Sequence, residues 1–245
     1  MTEDAEPSVD PVGHPPPQDG VVLRRDDTGK PVERCAFKGG RLDGTVARYS
    51  PEGGLATEIP FQAGQRHGLL VDYDDEGRPL AELTYRDGVL DGPAKLSRAG
   101  VPLLAATYAD GLLDGDVTSY DERGGLAMVA AYRRGVKHGT TTVYRPDGSV
   151  LRTMEYRDGK LEGDTLDYDE NGVLRARTPY RNGLRDGDMI TYDAKGAPSR
   201  RTAFVADKAA GPPEAVTPAP QQTRKKQARK KLARPPWYRR LTGSG

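Results

Sequence analysis

Three histidines, one cysteine and several carboxylate runs are the side chains of this 245-residue chain whose types could do chemistry. A histidine pair could hold a metal or pass a proton. Cys35 could act as a nucleophile, given a nearby base. Asp72, Asp74, Asp75 and Glu76 crowd four carboxylates into five residues, a density that suits calcium. Spacing argues against all three. His14 lies in a proline-rich stretch, and His67 and His138 occupy the same place in two units of a repeat three units apart, roughly 28 Å along a sheet. Other units fill that place with Asp43, Asp91, Asp114, Glu162 and Asp186, which reads as a tolerated polar turn position. The acidic run lacks EF-hand spacing, and its counterparts vary freely, so solvated turns account for it. Cys35 has no base partner in sequence and falls in a predicted strand, where a buried thiol is expected. GxSxG, HExxH and the P-loop pattern are absent. The expectation is a protein that is not an enzyme, with no cofactor and no metal.

The elements that carry these residues are set by an internal repeat. Phe37, Phe61, Tyr85, Tyr108, Tyr132, Tyr156, Tyr180 and Phe204 recur every 24 residues, with one interval of 23. A second series, Tyr49, Tyr73, Tyr120, Tyr144, Tyr168 and Tyr192, lies twelve residues behind the first, with Leu96 filling its place in the short unit. The unit reads aromatic-x-x-Gly-x-x-(Asp/His/Glu)-Gly-x4-Tyr-x3-Gly, and its phase extends back to Asp19, Gly20 and Gly29. Twelve residues per half-unit suit one short strand and one turn, not a helix pair. TVARY, LLVDY, DVTSY, TTTVY, DTLDY and DMITY each come after a glycine and precede a turn tetrad such as DDEG or DENG. Tight turns force neighbouring strands to be antiparallel. The predicted fold is all-β: an elongated single-layer antiparallel meander of about sixteen short strands, roughly 75 Å long at the usual strand spacing. Tyr85, Tyr108, Tyr120, Tyr132, Tyr144, Tyr156, Tyr168 and Tyr180 are expected to form its structural spine, in two rows of cross-strand pairs.

The repeat resembles the MORN-repeat variant of the YwqK-type antitoxin family. The matching text is YRDGKLEGDTLDYDENGVL, Tyr156 to Leu174, and similar text recurs from about residue 19 to 207. An ordinary MORN unit has a Trp after its first glycine, absent here, so the variant is the closer likeness. YDENGVLRA and YDDEGRPLAE are also similar to the Tyr-Asp repeats of Rhs-type proteins. The Gly-x-x-(Asp/His/Glu)-Gly turn and the 24-residue period fit the MORN variant better, and seven units are too few for a toxin-enclosing shell. The resemblance implies an elongated antiparallel sheet, a role in toxin neutralisation or membrane-adjacent scaffolding, and no catalytic residue.

Composition and charge complete the reading. Hydrophobic residues make up 35% and charged residues 30%, too little apolar material for a thick two-layer core. With one cysteine, no internal disulfide framework exists. No apolar run is long enough to cross a bilayer, and the acidic, proline-rich start does not read as a secretory signal, so a cytoplasmic protein is expected. Nine Lys/Arg lie between Arg224 and Arg240; subtracting them from 37 leaves 28 basic against 36 acidic residues, a body of net charge −8. Three parts are therefore expected: a disordered acidic arm over 1–18, the repeat domain over 19–207, and a disordered basic tail over 208–245.

The expected function is protein binding: an antitoxin, immunity or effector-accessory module that occludes a cognate toxic enzyme. Arg152, Glu155 and Arg177 on the central units, and Trp237 with Tyr238 in the tail, are the candidate contact residues. Two other expectations are a scaffold held at an anionic membrane by the basic tail, and a homo-oligomer joined through terminal strands. The tail lacks a base-reading module, so no sequence-specific nucleic-acid recognition is expected.

Overall fold

A computed structural model describes residues 18–216; the preceding arm and the succeeding tail, with Trp237 and Tyr238, lie outside the described residues. Every regular element described is a strand, and all 23 belong to one antiparallel sheet. Sixteen of them have six or more residues, as the repeat predicts; the other seven are two-residue pieces. Each long strand pairs with the long strands before and after it in sequence, from Gly20–Arg25 at one edge to the last pieces, ending at Glu214–Ala215, at the other, so pairing runs past residue 207.

Two kinds of turn alternate along the sheet. One edge carries two-residue hairpins such as Asp87-Gly88, Asp158-Gly159 and Asn182-Gly183, whose residues all have φ between +48° and +87°. Positive φ at both central residues is the type I′ turn, whose twist matches the flanking strands. The other edge carries longer turns of the Asp-x-x-Gly kind. The carboxylate of Asp193 accepts hydrogen bonds from the amides of Lys195 and Ala197, both at 2.9 Å. Asp74 does the same for Glu76 and Arg78, which places the acidic run in a self-capped turn.

The hairpin edge is stitched from unit to unit. The turn glycine amide donates to a carbonyl of the preceding unit, as in Gly88 to Arg66 and Gly159 to Lys137, both 2.9 Å. The Asp/His/Glu column adds a second link, because Asp43 accepts from the Ala63 amide and Glu162 from the Asn182 amide, at 3.1 and 2.8 Å. His138 stands 3.4 Å from the Asp158 amide in the same arrangement. The column is therefore more than tolerated polarity. Any short acceptor at that place can order the next turn.

Beside the column, each strand of the second series carries a glycine opposite an aromatic: Gly68 faces Tyr85, Gly115 faces Tyr132 and Gly139 faces Tyr156. An aromatic ring laid across a strand glycine supplies the packing that the glycine lacks. Cations cover some of these rings from the far side, with Lys137 Nζ 5.0 Å from the Tyr156 ring centre.

The bulges at this column set two extra residues on one strand, as between the pairs Ala130–Thr141 and Tyr132–Lys137, so alternation carries through them. The two aromatic series occupy opposite faces because partners across each hairpin are an odd number of residues apart, as with Thr141 and Met154, whereas the series are twelve apart. The first face holds Phe61, Tyr85, Tyr132 and Tyr156, beside a continuous mid-strand row that includes Cys35, Val46, Ile59, Leu70, Ala94, Ala106, Val117, Ala130, Thr141, Thr165 and Thr178. That row, not the tyrosines, holds most of the buried residues, with Ala130 at 0% and Thr141 at 1% exposure; Ala47 and Thr118 are buried on the second face. All eight tyrosines expected to form the spine are half-buried: Tyr85, Tyr108, Tyr132, Tyr156 and Tyr180 flank that row, and Tyr120, Tyr144 and Tyr168 lie on the second face. The second face carries Tyr73, whose hydroxyl donates to Glu58 at 2.9 Å, and Tyr144, beside Thr142.

Candidate protein-binding surface

Mid-strand residues on the second face also form a row, running Glu58, Val71, Glu82, Lys95, Ala105, Thr118, Val129, Thr142 and Thr153. Its second-series tyrosine column is regular except in one unit. From Gly92 to Gly100 there are eight residues, against nine from Gly68 to Gly77 and from Gly115 to Gly124. The missing residue leaves no room for the longer turn. Strand Val89–Arg98 instead runs on to an Ala99-Gly100 hairpin, with Arg98 directly opposite Val101. Leu96 therefore lies on the first face beside Ala94, and Ser97 stands where the tyrosine would. The expectation that Leu96 fills the tyrosine's place is corrected: counted from the strand glycine, Ser97 matches Tyr73, and the missing residue falls in the turn that follows.

A groove of about 390 Å³ opens there on the second face. Ala105, Thr107 and Tyr120 line it over a buried Thr118, and Lys95, Glu82 and Asp116 supply charge. Lys95 Nζ is 3.4 Å from the Glu82 carboxylate. Such a groove can take an apolar side chain against the small residues, with charged groups close enough to orient a flanking polar atom.

The residues singled out from sequence are dispersed. Arg152 lies on the first face, paired with Asp167. Glu155 is on the second face and accepts a hydrogen bond from the Thr140 hydroxyl at 2.8 Å. Arg177, also on the second face, is 3.4 Å from Asp164. The three do not form one patch, and none lines the groove. The groove's own residues were missed, although the one 23-residue interval was a visible signal of where the array departs from its rule.

His67 and His138 sit in the turn column in separate units, each beside an aspartate, Asp87 at 3.2 Å and Asp158 at 3.3 Å. Among the described residues no three His, Cys, Asp or Glu side chains converge on a common point. Cys35 is buried and donates to Glu33 at 3.3 Å. Burial first, and then the Glu33 carboxylate, push its thiol up to about 12, which leaves no reactive thiolate at neutral pH.

These features define a class: an open single-layer array of β-repeats with one irregular, grooved unit. Residues 161–182 match the family described as MORN repeat variant. No curated protein matches. Among solved structures, the chain is similar to the GtfA/B complex bound to UDP and GlcNAc, at 15% identity over 56% of this chain and 22% of that one, with a TM-score of 0.18. It is also similar to the Tc holotoxin pore of Photorhabdus luminescens, at 13% identity over 77% of this chain and 12% of that one, TM-score 0.22. A TcdB2-TccC3-TEV structure matches at 14% identity over 76% of this chain and 13% of that one, TM-score 0.19. The chain thus spans less than a quarter of each of these, and TM-scores this low carry no inference about overall shape or activity.

Proposed function

We propose that this protein is a non-enzymatic binding module that neutralises a cognate toxin or effector enzyme by lying across its working surface, with the partner seated on the second face over residues 79–120. The observation that carries the reading is the groove in the irregular unit. A partner meeting a perfectly repeating surface finds equivalent positions every 24 residues and has no unique seat. One unit that differs supplies a single register. The likeness of the repeat to MORN variants of antitoxin type supports the choice of partner class.

The test begins with affinity purification from the native host and identification of captured proteins by mass spectrometry. Ala105→Arg then fills the groove. The fold should accept it, because the equivalent place three units on already holds an arginine, Arg177. Thr153→Arg, at the same place in a regular unit, is the control. Capture lost with Ala105→Arg and kept with Thr153→Arg supports the seat. Capture that survives Ala105→Arg sinks it. Failure to capture any protein, together with tail-dependent flotation on anionic liposomes, would replace the reading with that of a membrane-held scaffold.

A further inference from the structure

The two edges of the sheet are unlike. At the far edge the last strand is broken into Lys208–Ala209 and Glu214–Ala215, with Pro212 and Pro213 between them. Short edge pieces and prolines, which offer no amide, are how sheet proteins blunt an edge against further pairing. The near edge is the opposite. Gly20–Arg25 is six residues long, contains no proline, and pairs only with Pro31–Lys38 among the described residues. It also presents apolar side chains on the second face, Val21 at 56% and Leu23 at 42% exposure.

Direction decides what such an edge can accept. Sixteen long strands and then one split strand make seventeen alternating rows, so the first and last run the same way. Adding a second molecule head to tail would set those two edges parallel, unlike every pair in the sheet. A two-fold axis through the first strand instead pairs it with its own copy, and identical strands related in that way are always antiparallel.

We infer that Gly20–Arg25 is a dimerisation edge, joining two copies of this chain into one continuous antiparallel sheet about a two-fold axis at Val22. In this register Val21 of each copy abuts Leu23 of the other, which closes four exposed apolar side chains into one cluster on the second face. Asp19 at the start of one strand comes opposite Arg25 at the end of the other, so unlike charges meet at both ends of the junction. Moving the axis to Leu23 would put Val21 opposite Arg25, and moving it to Val21 would put Leu23 opposite Asp19, so either register loses both matches.

The dimer is independent of what binds the groove and is tested on the full chain. Light scattering after size-exclusion chromatography should give twice the 26.6 kDa mass of one chain at tens of micromolar or above. Val21→Lys with Leu23→Lys places four like charges around the axis and should return a monomer with an unchanged circular dichroism spectrum, whereas Glu214→Pro at the far edge should leave the dimer intact. Register is read separately: Val22→Cys, with Cys35→Ala to remove the adjacent thiol, should form an intermolecular disulfide under mild oxidation. A monomeric unsubstituted chain, a dimer indifferent to the two lysines, or a dimer lost with Glu214→Pro overturns the proposal. A dimer in which Val22→Cys fails to cross-link overturns the register.

Discussion

Two glycines at the same place in neighbouring units allow backbone strain and steric overlap to be separated. Gly92 has φ +126° and Gly115 has φ +118°, a region that residues with a Cβ rarely enter. A Cβ at Gly92 would stand 2.9 Å from Thr84 Cγ2 and 3.0 Å from Thr84 Cβ, the latter a part of the side chain that cannot swing away. A Cβ at Gly115 would meet Thr107 Cβ at 3.4 Å, which is an ordinary contact. Backbone strain of this type costs about 1–3 kcal/mol, and alanine returns about 0.4–1 kcal/mol by narrowing the unfolded ensemble. Gly115→Ala should therefore cost about 1–2 kcal/mol. Gly92→Ala carries the same backbone cost plus overpacking, worth about 1–3 kcal/mol more.

The assay is urea denaturation monitored by circular dichroism, with hydrogen exchange across residues 79–120 to detect opening confined to those units, because repeat arrays need not unfold in one step. A second substitution isolates the overlap: Thr84→Gly in the Gly92→Ala background should recover the excess but not the backbone part. Equal costs for Gly92→Ala and Gly115→Ala would refute the steric half of the reasoning. No cost in either would refute the claim that this glycine column is required at all.

Thr141 is buried to 1% exposure, and its hydroxyl has no hydrogen-bond partner, so Thr141→Val should raise stability by up to about 1–2 kcal/mol; a lowered urea midpoint would contradict this. The amides of Ala197 and Lys195 hold the Asp193 carboxyl below its ordinary value of 3.8, so its contribution is present above that pH and is lost as pH falls through the depressed folded value. Asp193→Asn should therefore flatten the acid limb of a stability profile recorded from about pH 5 to about pH 2, and an unchanged limb would show that the turn carries no such linkage.

Strand number, order and antiparallel sense were legible because the aromatics and glycines of each unit are tied to one strand and one turn. Features that depend on local chain direction alone can be read at a spacing of twelve. The placement of side chains on faces was not legible in the same way. Facing depends on the register across each turn, which a spacing of twelve does not give: Thr141 pairs with Met154, thirteen residues on, so Tyr156 takes the face opposite to Tyr144. The buried row escaped notice for a related reason. Ala94, Ala130 and Thr141 are small, and in a single-layer sheet a small residue is buried by its larger neighbours rather than by a second layer, so hydrophobicity does not mark it.

The candidate site illustrates where legibility ends in a repeat protein. Arg152, Glu155 and Arg177 stood out as charges on central units, yet the register distributes them over two faces and gives each a local partner: Asp167, Thr140 and Asp164 respectively. A charge already neutralised by its neighbour offers a partner little. The deletion between Ser97 and Gly100 carries no unusual residue and looks like noise in the period. Its effects are nevertheless larger than those of any single side chain: it exchanges one turn type for another, and beside that turn, where Ser97 stands in place of the tyrosine, a groove lies over Ala105. In an array whose units otherwise repeat, the information that could specify a partner resides in the departure from the period, and that is where binding should be sought first.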